Sequence, residues 1–119
     1  MLDAISKYNI LFLDIETVSK VRSYDDLDEK FKQLWQRKQS TLFKNEEVSF
    51  EEGFEQKAAI YAEFGKIVCI SCGYITKEEG VEKLRVKSFY GKNEMQILDD
   101  FAKLLKLNYS DFQNQTLCG

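Results

Sequence analysis

Apolar and polar positions change period several times along the chain, and each change marks an element. Residues Tyr8 to Ile15 (YNILFLDI) form a short run rich in aliphatic and aromatic side chains, apolar on both faces until Asp14. Such a run is too short for a helix and predicts a central strand covered on both sides. From Tyr24 to about Gln39 the period becomes helical. Leu27, Phe31, Leu34 and Trp35 recur on one stripe, with acids early (Asp25, Asp26, Asp28, Glu29) and bases late (Lys32, Arg37, Lys38), an order that suits the helix dipole. A second helix is predicted from Ser49, because Ser49 and Glu52 have the spacing of a capping box. Phe50, Phe54, Ala58 and Tyr61 mark its apolar face, and Gly53 weakens it by about 1 kcal/mol relative to alanine. Lys44 to Glu47 is a polar connector.

Beyond Gly65 the chain becomes β-branched and apolar on both faces. Lys66 to Thr76 (KIVCISCGYIT) reads as a strand, Lys77 to Gly80 as a turn, and Glu82 to Tyr90 as a partner strand. The second strand alternates, Leu84, Val86 and Ser88 against Arg85, Lys87 and Phe89, so the pair predicts a hairpin. Asn93 is placed to cap a helix with Ile97, Leu98, Phe101, Leu104 and Leu105 on one side, ending near Leu107. Thr116-Leu117-Cys118 then reads as a strand beginning. Setting aside the two helices at about residues 20–64, the order is β-β-β-α-β.

Composition narrows the chemistry. The 119 residues suffice for one domain, and 44% hydrophobic with 31% charged residues is globular rather than disordered. The net charge of −3 argues against non-specific coating of nucleic acid, but a carboxylate site that holds metal must itself be acidic. The absence of histidine removes Ser-His-Asp triads, Cys-His dyads and histidine-based zinc sites. Three cysteines, no secretion-signal pattern at the start and no apolar run of about 20 residues predict a cytoplasmic protein without a membrane span.

Asp14 and Glu16 are the candidate chemistry. Residues i and i+2 of a strand share a face with Cα atoms about 6–7 Å apart, so the two carboxylates are placed to hold divalent cations. Oxygen ligands suit Mg²⁺ or Mn²⁺. Two acids at the end of a strand are more often simply solvated; the apolar run that leads into them argues for the site.

The segment LFLDIETV, residues 11 to 18, resembles the first exonuclease motif of the DEDD (DnaQ-like) superfamily. Ala62 to Ile75 (AEFGKIVCISCGYI), Asn93-Glu94 before an amphipathic helix, and the final TLCG resemble the branch of predicted 3′–5′ exonucleases related to the proofreading domain of family B DNA polymerases. The similarity spans nearly the whole chain. It implies an α/β, ribonuclease-H-like fold: a mixed sheet of three antiparallel strands, a crossover helix and a further strand, with a two-helix insert after the first strand. On this reading residues 1–119 are the amino-terminal portion of a single exonuclease domain, truncated before completion. The resemblance assigns Asp14 and Glu16 as catalytic metal ligands for two divalent cations, Mg²⁺ or Mn²⁺, and implies that Thr17 contacts the 3′-terminal nucleotide through its backbone. It implies nucleic acid as partner, single-stranded DNA 3′ ends above all, and hydrolysis of phosphodiester bonds there. Two further aspartates of the family pattern fall after Gly119, so the chain carries only the first motif and is expected to be inactive alone. Asp99, Asp100 and Asp111 do not replace them, two being placed on the crossover helix and one in a loop. The alternative is a catalytically silent nucleic-acid-binding or scaffold domain of the same fold.

Other features have plainer readings. Cys69 and Cys72 form C-x-x-C, the spacing of a zinc knuckle or redox pair, but mid-strand i and i+3 point to opposite faces, which favours core thiols. The Leu27, Phe31, Leu34 and Trp35 stripe suits base stacking or a partner, yet core packing is the commoner use. Lys7, Lys20 and Arg22 flank the first strand and are placed to draw phosphate in, though scattered surface bases are common. Arg85 and Lys87 read as the solvated side of the hairpin.

Overall fold

The computed structural model describes residues 5–108 and 115–119. The chain is α/β and divides into two compact units, Thr17–Lys66 and the rest, with β1 and β2 running from one into the other.

The sheet unit contains most of four strands: β1 (Ile10–Ser19), β2 (Gly65–Glu78), β3 (Val81–Tyr90) and β4 (Thr116–Cys118). Their order is β3-β2-β1-β4. β2 and β3 are antiparallel with Cys69 opposite Tyr90 and Glu78 opposite Val81, whereas β4 runs parallel to β1 with Ile10 opposite Thr116. The sheet is therefore mixed, and the parallel pair needs the long crossover that α3 (Glu94–Asn108) supplies. The hairpin turns tightly on Glu79 and Gly80, both with positive φ (51° and 81°), which matches the twist of the flanking strands.

Two contacts anchor α3. The Asn93 side chain accepts a hydrogen bond from the Gln96 N–H (3.2 Å), capping the helix as its spacing predicts. The Glu94 carboxylate accepts the Ile67 backbone N–H at the start of β2 (2.5 Å). Ile97 is buried, and Phe101 meets the Phe89 ring edge-on, 6.3 Å between centroids. Leu11, Ile70 and Cys72 complete the buried side. Leu98, expected on the packed stripe, is exposed.

The opposite sheet face differs from expectation. The run of β1 is not covered on both sides: Phe12 is exposed. Nor does Leu84-Val86 face a core; each is 65% exposed. Among the described residues no helix of the sheet unit lies over this side. β1 is also longer than its apolar run, because Glu16-Thr17-Val18-Ser19 continue the extended backbone.

The helical unit holds α1 (Glu29–Leu42) and α2 (Phe50–Lys57). The single helix expected from Tyr24 is interrupted. Tyr24–Asp26 is a separate 3₁₀ turn, since Asp28 takes the cap position and accepts the Phe31 N–H (2.8 Å). Ser49 caps α2 by accepting from the Glu52 N–H (3.1 Å); the Glu52 carboxylate accepts from Gln56 instead of closing a reciprocal box. Trp35, Phe54 and Phe64 are fully or almost fully buried and meet pairwise edge-to-face at 5.2–6.0 Å, the arrangement that ring quadrupoles favour. Ala58 and Tyr24 close the cluster, with Phe31, Leu27 and Tyr61 around it. The stripe of α1 is thus core, except that Leu34 is exposed.

One buried polar side chain organises this core. The Gln39 amide accepts from the Trp35 indole N–H (2.8 Å) and donates to the Val48 and Ser49 carbonyls (2.8 and 3.0 Å). Gly53 makes room for it: a Cβ there would stand 2.4 Å from Gln39 Oε1. The glycine that weakens α2 in isolation is thus required by packing.

Candidate metal-binding site

Alternation along β1 carries Phe12, Asp14 and Glu16 to one sheet face. A shallow groove on that face is lined by Phe12, Asp14, Ser71, Gly73, Ile75, Leu84 and Val86. Among the described residues that line it, Asp14 alone is charged. Gly73 has no side chain to fill the floor, and a Cβ there would stand 3.4 Å from the Arg85 carbonyl oxygen, 3.5 Å from Val86 and 3.6 Å from Leu84. Ser71 hydrogen-bonds across to Ser88, Oγ to Oγ 2.8 Å.

Asp14 and Glu16 are both exposed. Among the described residues neither carboxylate has an ion-pair or side-chain hydrogen-bond partner, in contrast to Glu78 and Glu82 of the same unit. Glu78 holds Lys83 (2.8 Å) and Arg85 (2.5 Å), and Glu82 holds Lys7 (2.5 Å) and the Tyr8 hydroxyl (2.6 Å). Lys83 and Arg85 keep the Glu78 carboxyl below its ordinary range, and Lys7 and Tyr8 do the same for Glu82. The oxygens of Asp14 and Glu16 remain open to a cation from solution, and a carboxylate-only donor set suits a hard ion. Two carboxylates make only part of an octahedral shell, the remainder falling to water, phosphate or further side chains. In that sense the residues present fit a divalent cation as one side of a site.

β4 closes on the same region. Its register pairs Phe12 with Cys118, and Gly119 lies against Leu13, one residue before Asp14. Among the described residues no cluster of three or more metal-ligating side chains forms. Asp99 pairs with Lys103 (2.8 Å) and Asp100 accepts from Gln96 (2.9 Å), both along α3, so neither joins Asp14. Asp111 lies outside the described residues. Thr17, the next position of β1, is half-buried and belongs to the helical unit.

The remaining candidates resolve into structural roles. Lys7 is engaged by Glu82. Lys20 donates to the Ala62 and Glu63 carbonyls (3.3 and 3.4 Å) within the helical unit. Arg22 is exposed. The thiols of Cys69 and Cys72 sit on opposite sheet faces, all three cysteines being free. Cys69 Sγ is 3.6 Å from Ser71 Oγ. Cys72 is buried against the Lys87 carbonyl (3.5 Å), and burial raises its pKa; it is a core thiol. Arg85 is salt-bridged rather than merely solvated. The Ser71–Ser88 pair follows from the hairpin register, which sets the two serines opposite each other.

No helix among the described residues is long and apolar enough to cross a membrane. Scans against protein-family models, curated proteins and solved structures give no match to this chain.

Proposed function

We propose that this chain contributes the first-strand half of a metal-dependent 3′–5′ exonuclease site on a ribonuclease-H-like sheet, acting on 3′ ends of nucleic acid, single-stranded DNA foremost. The carrying observation is the pair of unpartnered, same-face carboxylates, Asp14 and Glu16, on a β1 strand that β4 joins in parallel. The resemblance of LFLDIETV to the first DEDD motif supports the same reading. Divalent cations, Mg²⁺ or Mn²⁺, supply positive charge for the phosphate and make water a better nucleophile when bound. Asp14 and Glu16 hold and orient that charge, and the Thr17 backbone contacts the terminal nucleotide. The remaining ligands and the base that orients water are groups other than Asp99 and Asp100, both tied along α3.

The test joins binding to turnover. Mn²⁺ added to the ¹⁵N-labelled protein is expected to broaden the amides around Asp14 to Thr17, and Asp14→Ala to abolish that broadening. With any natural sequence that follows Gly119 attached, a 5′-labelled single-stranded DNA is expected to shorten from its 3′ end only with metal, and not with Asp14→Ala. Broadening without a ladder favours the second reading, a catalytically silent nucleic-acid-binding or scaffold domain. The absence of both broadening and a ladder overturns the metal site.

A further inference from the structure

We draw no further inference here: the strongest candidate, the exposed apolar sheet face of Phe12, Leu84 and Val86 beside Asp14, carries nothing because nothing in the structure shows what covers it.

Discussion

The two units solve the problem of burial differently. The helical unit gathers Trp35, Phe54, Phe64, Ala58 and Tyr24 into one closed aromatic core and satisfies the buried amide side chain of Gln39 with bonds through both amide atoms. The sheet unit packs one face under α3 and leaves the other, where Asp14 lies, open to water. A closed core must have complementary shapes, so it tolerates little change. An open face asks only that the alternation of the strands be kept. The candidate chemistry sits on the permissive surface, and the tightest packing lies in residues that carry none of it.

Breaking the closed core is expected to have the largest effect. Trp35→Ala removes a fully buried ring and the donor to Gln39, and should cost about 4 kcal/mol, read as a fall in the urea midpoint. A loss below about 1 kcal/mol would contradict a core centred on this ring. Gly53→Ala comes next. Although alanine is the better helix former, its methyl would strike Gln39 Oε1, and a loss of about 2 kcal/mol is expected; a gain in stability would show that Gln39 is free to move. On the open face Leu84→Gln should change stability by less than about 0.5 kcal/mol. A cost comparable with that at Trp35 would mean the face is covered in solution.

The smallest effect expected is electrostatic. The Glu78 carboxyl is held down by Lys83 and Arg85. Its contribution to stability is therefore present above the unfolded carboxylate pKa and is lost as pH falls through the lower folded value. An NMR titration should place its midpoint below 4.5, its ordinary value, and Lys83→Ala should move it upward. A midpoint unmoved by that substitution would remove Lys83 as the cause.

The elements were legible because each has its own period. Leu27, Phe31 and Trp35 announce α1, Ser49 announces the start of α2, and the KIVCISCGYIT run announces β2. Boundaries were less legible where local chemistry competes. Acids early and bases late extended α1 back to Tyr24, but the Asp28 side chain caps the helix three residues before Phe31 and leaves a 3₁₀ turn upstream. Coverage was not legible at all, since Leu84 and Val86 alternate as a buried face would while standing exposed. Alternation states which side chains share a side, not what lies over them. The same limit applies at Asp14 and Glu16: period two places them together, but the partners of a metal site come from elsewhere in the fold, where no local pattern points. Gln39 escaped for a related reason. A polar residue in a helix reads as solvent-facing until the Gly53 beside it is known.

The parallel seam between β1 and β4 has a topological consequence. It joins Ile10–Phe12 to Thr116–Cys118, segments from nearly opposite ends of the sequence. Closing a loop of that span costs only about 0.6 kcal/mol more than closing one half as long, so an intact chain loses little by the arrangement. A backbone cut anywhere between the two strands, even in a remote surface turn, places Asp14 and Gly119 on separate polypeptides. Their alignment would then depend on the contacts that keep the pieces associated, no longer on the covalent chain.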